Sequence, residues 1–135
     1  MRRWLAVFAL AVLSCTDPTA PDRQLQLAEQ RWERLGSPNY DYVFQISAMV
    51  FANPTRVEVR GNVIRRVVDV VTGQEQPASR GLTIDAIFAR IRSDLQAGRR
   101  MEVTYDALGI PTRYLSGTPE NDGGYILTTS QYVRR

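Results

Sequence analysis

The stretch TRVEVRGNVIRRVVDVV, residues 55–71, reads as a β-hairpin. Val57 and Val59 alternate with Glu58 and Arg60, the period-2 signature of a strand with one buried face. Gly61-Asn62 supplies two residues that tolerate positive φ, which the two-residue hairpin turns require. The chain then returns through Val63 to Val71. Arg65 and Arg66 are adjacent, so strict alternation fails there and a bulge or a register slip is expected. The arginine pair is read as solvated, with an anion site as the alternative.

An antiparallel hairpin needs more strands and a cover. Upstream, Tyr40, Tyr42, Phe44 and Ile46 alternate with Asp41, Val43, Gln45 and Ser47, giving a half-buried strand with one aromatic face. Before it, Arg23 to Leu35 carries Leu25, Ala28, Trp32 and Leu35 near a 3.6-residue period, the stripe of an amphipathic helix. Trp32 is its core anchor. Gly36 is expected to close that helix in the left-handed conformation, with Pro38 preventing continuation. Downstream, Thr72 to Gly81 is a polar loop. A second helix then opens at Leu82-Thr83, with Thr83 as N-cap, Asp85 in the first turn and Leu82 and Ile87 spaced as a hydrophobic staple. Ile84, Ile87, Phe88, Ile91 and Leu95 form its single apolar face, and Gly98 ends it.

Met101, Val103 and Tyr105 alternate with Glu102, Thr104 and Asp106. Asp106-Ala107-Leu108-Gly109 suits a type I turn, and Ile110 to Ser116 is the return strand, with Pro111 tolerated at its start. Gly117 to Gly124 is a loop, and Tyr125 to Val133 is a last alternating strand. The expected fold is α+β: two αβββ units forming one antiparallel sheet of about six strands, with two helices packed on one face.

Ahead of this domain (residues 23–135) lies MRRWLAVFALAVLSC. Arg2-Arg3 precedes an apolar run from Trp4 to Leu13 that is too short to span a bilayer, which takes about 20 residues. It has the shape of a secretory leader. No Ala-x-Ala pair follows it, as an ordinary cleaved leader would want, and nothing around Arg2-Arg3 supports twin-arginine export. Val12-Leu13-Ser14-Cys15 resembles a bacterial lipobox, in which the cysteine is acylated and the chain is cut before it. That resemblance implies a signal peptide over residues 1–14, a lipidated Cys15, and a polar tether to residue 22. It implies a chain anchored in the cell envelope by lipid, on the periplasmic face or at the cell surface. Thr16 stands where a retention aspartate would in the enterobacterial sorting code, which by analogy favours the outer membrane.

The composition narrows the chemistry. The 135 residues are 44% hydrophobic, enough for a real core. Removing Arg2 and Arg3 with the leader leaves 15 arginines, and no lysine, against 14 acids, so no electrostatic footprint for nucleic acid survives. Without histidine there is no Ser-His-Asp or Cys-His catalysis and no histidine-based zinc site. Cys15 is the sole cysteine, so the domain has no disulfide of its own.

Three segments together resemble a family of small secreted bacterial proteins known only as domain of unknown function six-one-seven-four. They are Tyr40-x-Tyr42-x-Phe44, then Thr83-Ile84-Asp85 leading to Ile87-Phe88, then Tyr105-Asp106-x-x-Gly109-x-Pro111. Many members carry a Cys-x-Cys pair soon after the Tyr-x-Phe strand; Ser47 to Ala52 has none. The resemblance implies no activity, and these motif residues are read as structural. In element order the chain also resembles PepSY-type and beta-lactamase-inhibitor-like modules, which bind envelope proteins.

No catalytic constellation, metal site or cofactor site is expected. Asp106 beside Tyr105 is read as a turn acceptor. Glu120-Asn121-Asp122 lacks the spacing of an EF-hand loop. The glycines form no phosphate cradle. Glu58 and Glu102 would act as acid and base only if the sheet juxtaposed them. The leading expectation is a non-enzymatic module that binds an envelope protein through its open sheet face, carrying residues such as Gln45, Ser47, Glu58, Glu102 and Thr104, with Ile126 and Tyr132 joining according to register. Such a role calls for an exposed apolar-aromatic patch there. The alternatives are a small-ligand carrier, which calls for an enclosed apolar cavity, a structural envelope protein, and a carboxylate-based enzyme.

Overall fold

The computed structural model describes residues 20–118 and 123–135. The elements run α1 (Pro21–Leu35), β1 (Tyr40–Ser47), β2 (Thr55–Arg60), β3 (Val63–Asp69), β4 (Glu75–Gln76), a 3-10 turn (Ala78–Arg80), α2 (Ile84–Gln96), β5 (Met101–Tyr105), β6 (Pro111–Ser116) and β7 (Tyr125–Arg134). All the strands join one sheet in the order β4-β3-β2-β1-β7-β6-β5, and each neighbouring pair is antiparallel.

The sheet therefore has seven strands rather than about six. The seventh comes from the polar loop after β3, where Glu75 and Gln76 pair with Val68 and Val67. Two residues with no apolar alternation carry no periodic signal, which is why this segment reads as loop. With the 3-10 turn it interrupts the expected repetition of a helix followed by three strands.

The hairpin forms as its sequence dictates. Gly61 and Asn62 take φ of 59° and 62°, the primed turn that matches strand twist. Glu58 pairs with Arg66 but Val59 pairs with Ile64, so Arg65 is the extra residue of a bulge. That bulge turns both Ile64 and Val67 toward the helices, which neighbouring arginines would otherwise have prevented.

Both helices lie on one face of the sheet. Leu25, Ala28 and Trp32 of α1 and Ile84, Ile87, Phe88 and Ile91 of α2 are buried in one cluster with Tyr40, Tyr42, Phe44, Val57, Val59, Tyr114 and Leu127. All seven aromatic side chains carried by the strands belong to this cluster or pack against it. Leu35 is the exception to the α1 stripe: it is exposed, since Gly36 turns the chain away there. α1 also begins two residues earlier than expected, because Pro21 fits its first turn, where a missing N–H costs nothing.

Gly36 does not take the left-handed conformation expected of it; its φ is −68° and ψ 177°. Glycine is needed there for closeness instead. A Cβ would lie 2.5 Å from the Trp32 carbonyl oxygen and 2.7 Å from its indole.

β7 carries a second bulge, between its pairs with Asp41 and Val43, and Gln131 adopts φ of 54° there. The bulge reverses the alternation of the strand. Tyr132 therefore points to the helix side, 5.8 Å from Trp32 and 5.6 Å from Tyr40 between ring centroids. It does not join the open face, whereas Ile126, paired with Ser47 and Leu115, does.

Candidate functional site

The motif residues converge on two joints, both built around α1. The first is the N-terminus of α2. A helix start leaves four backbone N–H groups without intrahelical acceptors. Thr83 Oγ1 accepts from Ala86 N at 3.1 Å, the expected cap. Ile84 N donates to the Tyr40 hydroxyl at 2.9 Å, a tertiary cap from β1. Tyr42 donates its hydroxyl proton to the Leu82 carbonyl at 2.6 Å, and Asp85 Oδ1 accepts from Trp32 Nε1 at 3.0 Å. Phe44 stacks beyond Tyr42 with centroids 6.1 Å apart. Alternate residues of one strand thus hold the helix by two hydroxyls and a ring.

The second joint is the turn between β5 and β6. Asp106 Oδ1 accepts from Leu108 N and Ile110 N, both at 2.9 Å, and Gly109 N donates to the Asp106 carbonyl at 3.0 Å. Gly109 has φ of +88°, and a Cβ on it would lie 2.1 Å from the Ala28 carbonyl oxygen of α1. Tyr105 lies nearly parallel to Phe88, with centroids 6.4 Å apart. Pro111 is buried at the first position of β6, and its carbonyl accepts from Thr129 Oγ1 at 2.7 Å. Tyr105, Asp106, Gly109 and Pro111 therefore build the contact on which α1 rests.

Burial pushes the Tyr40 and Tyr105 phenols up to about 12 and moves Tyr42 in the same direction. Near neutral pH all three stay protonated; Tyr40 and Tyr42 serve as hydrogen-bonding groups and Tyr105 as a packing ring. A cleft of about 350 Å³ opens beside the first joint, lined by Trp32, Glu33, Gly36, Ser37, Pro38, Asn62 and Asp85. Its carboxylate Asp85 is already bonded to an indole, and its Ser37 hydroxyl accepts from Asn39 N at 3.1 Å.

Two polar centres are not evident from sequence. Asp94, on the flank of α2, accepts from the Tyr114 hydroxyl and Ser116 Oγ of β6. Its position one turn from Arg90 and next to Leu95 is the only trace of this in the sequence. Asp41 lies on the open face yet is only 6% exposed. Arg60 Nη1 reaches Asp41 Oδ1 at 2.8 Å and Arg135 Nε reaches Oδ2 at 2.6 Å. Burial alone would raise the Asp41 pKa, but these two guanidinium groups outweigh it and hold the carboxyl below its ordinary value.

The rest of the open face is a lattice of ion pairs. Arg66 bridges Glu58 and Glu75, and Arg113 faces Glu102. Val43 and Leu115 lie beneath, 4% and 9% exposed. All seven strand aromatics lie on the helix side, so among the described residues this face carries no aromatic patch, and its exposed apolar side chains are valines such as Val63 and Val133. Glu58 on β2 and Glu102 on β5 are separated by β1, β7 and β6, about 19 Å at the usual strand spacing, so they form no acid–base pair. Among the described residues no group of three or more His, Cys, Asp or Glu side chains is placed to hold a metal ion, and no helix is long and apolar enough to cross a membrane. Cys15, the tether before Ala20 and Glu120-Asn121-Asp122 lie outside the described residues.

An antiparallel sheet with helices on one side, locked by motif tyrosines and an Asp-x-x-Gly turn, defines a small α+β module in which the most distinctive residues are architectural. The chain belongs to the family of unknown function DUF6174, which matches it over residues 24–115. That span begins within α1 and ends within β6, so it includes both joints. No curated protein and no solved structure matches the chain.

Proposed function

We propose that this chain is a bacterial envelope lipoprotein, acylated at Cys15, whose folded domain binds a protein partner and is not an enzyme. The observation that carries the reading is the place of Val12-Leu13-Ser14-Cys15: the lipobox-like tetrapeptide ends six residues before Pro21, where α1 begins. A cysteine acylated there would leave a short tether and then the domain. The carboxylates and phenols that could do chemistry are occupied in holding the fold, as at Asp85, Asp94, Asp106 and Tyr40. The surface available to a partner is the charged sheet face, which suits a partner of complementary charge rather than an apolar one. The carrier alternative is less well supported, because Tyr40, Tyr42, Phe88 and Tyr114 fill the space between helices and sheet.

The test is metabolic labelling of the expressed chain with an alkyne fatty acid, followed by mass spectrometry of the mature N-terminus. The expected result is label on a chain beginning at Cys15, abolished by Cys15→Ser. A mature N-terminus downstream of residue 15, or a free thiol on Cys15, would overturn the reading.

A further inference from the structure

Among the described residues, the most exposed run of large apolar side chains is neither on the sheet face nor in the cleft. It is the tip between β1 and β2, where Met49, Val50 and Phe51 are 72%, 81% and 80% exposed. The tip is held rather than loose. Phe51 bridges back to Ser47, and the Ala52 carbonyl accepts from Gln45 Nε2 at 3.0 Å. The turn after β3 is tied to it, with Val70 N donating to the Pro54 carbonyl and Asn53 Nδ2 to Asp69 Oδ2, both at 2.9 Å. That turn adds Val70 and Val71, 42% and 68% exposed. Arg90 of α2 lines the apolar cleft behind Met49 and Val50, while in the cleft next to it Arg80 is accompanied by the Asp69 carboxylate.

We infer that this tip docks on the lipid bilayer, its apolar side chains entering the interface while Arg90 faces the headgroups. The inference rests on the lipid-anchor reading and extends it. The start of α1 fixes the direction in which a tether would leave. The last turn of α1 lies at the Gly61-Asn62 end, where Trp32, Gly36 and Asn62 line one cleft, and the helix runs back from there over 15 residues to Pro21, which shares a cleft with β5 from Met101 to Tyr105. Met101, at the far end of β5, pairs with Ser116. Ser116 pairs with Tyr125, and Ser47, at the base of the tip, pairs with Ile126. The beginning of α1 and the tip thus lie toward the same end of the sheet, three strand spacings or about 14 Å apart laterally. The six residues from Cys15 to Pro21 extend at most about 20 Å. An acyl chain at Cys15 therefore brings this end, and not the Gly61-Asn62 end, against the membrane. Three successive large apolar side chains with the Arg90 guanidinium behind them suit such an interface.

The test uses the full chain carrying Val50→Cys or Asn62→Cys, each labelled with an environment-sensitive fluorophore. The labelled proteins are reconstituted in phosphatidylethanolamine–phosphatidylglycerol vesicles containing a brominated phosphatidylcholine. A parallel arm uses Cys15→Ser proteins with an N-terminal histidine tag, held on nickel-chelating lipid. Bromine is expected to quench position 50 about threefold more than position 62 in both arms, as for a side chain seated about 5–10 Å into the interface. Equal quenching at the two positions would overturn the inference. So would a position-50 label that is shielded in lipid-free solution by self-association, or shielded only on adding envelope proteins. If mass spectrometry finds Cys15 unacylated but position 50 is still quenched in the tagged arm, the anchor reading fails and the docking tip stands. An acylated Cys15 with an unquenched tip gives the reverse.

Discussion

Replacing Gly109 by alanine tests the joint between α1 and the β5–β6 turn, and the structure separates its cost into two parts. The first is conformational: at φ of +88°, an L-residue with a Cβ costs about 1–2 kcal/mol relative to glycine. The second is steric. The new methyl would lie 2.1 Å from the Ala28 carbonyl oxygen and 3.1 Å from Trp32 N, so α1 must retreat by about 1 Å, and overpacking of this kind costs about 1–3 kcal/mol. Gly98 is the matched control. Its φ is +67°, and a Cβ there meets nothing within 4 Å, so Gly98→Ala carries only the conformational part. Urea unfolding followed by far-UV circular dichroism reads both. At a slope of about 1–3 kcal/mol per molar, Gly109→Ala should lower the midpoint by about 1–2 M and Gly98→Ala by roughly half that. Equal losses in the two variants would refute the close approach and the reasoning built on it.

Tyr40→Phe removes the acceptor for Ile84 N and should cost about 1–2 kcal/mol in urea unfolding; a silent substitution would mean that β1 does not cap α2. Asp94→Asn weakens the hydrogen bonds from Tyr114 and Ser116 to a charged acceptor and should cost about 1–3 kcal/mol. It should also lower the Tyr114 pKa, which burial and Asp94 together raise, as read by ultraviolet pH titration. The Asp41 carboxyl has a folded pKa below its unfolded value, so its contribution is present above the ordinary aspartate pKa and is lost as pH falls through the folded one. Asp41→Asn should accordingly destabilise the protein at neutral pH and flatten the acid limb of the stability–pH curve below about pH 4. Asp69 is held down in the same direction by Asn53 and the turn amides, so the readout is the difference between the variant and the parent chain. Phe51→Ser, at a residue 80% exposed, should change stability by less than about 0.5 kcal/mol; a large loss would mean the tip belongs to the core.

Sequence periodicity exposes what is repeated and hides what is single. The α2 face, the Gly61-Asn62 turn and the Asp106–Gly109 turn follow from local spacing, and each occurs where the residues place it. The bulge near Arg65 was legible because two adjacent charges cannot both obey an alternating pattern. β4 was not, since a two-residue edge strand is specified by its partner alone. Gly36 shows the limit of residue-type reasoning: the glycine was visible, but whether it serves φ or proximity depends on where the Trp32 ring lies. Asp41 and Glu58 read alike as outward polar positions on alternating strands. The approach of Arg60 from β2 and of Arg135, 94 residues along the chain, makes Asp41 a buried ion-pair centre. The aromatic motifs were legible as packing, whereas their use as caps on a helix from another segment was not, because a hydroxyl carries no mark of its tertiary acceptor.

The bulge at Gln131 gives β7 a change of parity partway along its length. Flattening the bulge at constant length would extend the alternation of Leu127 and Thr129, turning Gln131 inward and Tyr132 into solvent and stripping Trp32 of an edge-on neighbour. Deleting Gln131 would instead set Tyr132 directly after Ser130, opposite Tyr42 and still on the helix side. A homologous chain one residue shorter here could therefore close the same corner with an ordinary strand and no residue at positive φ.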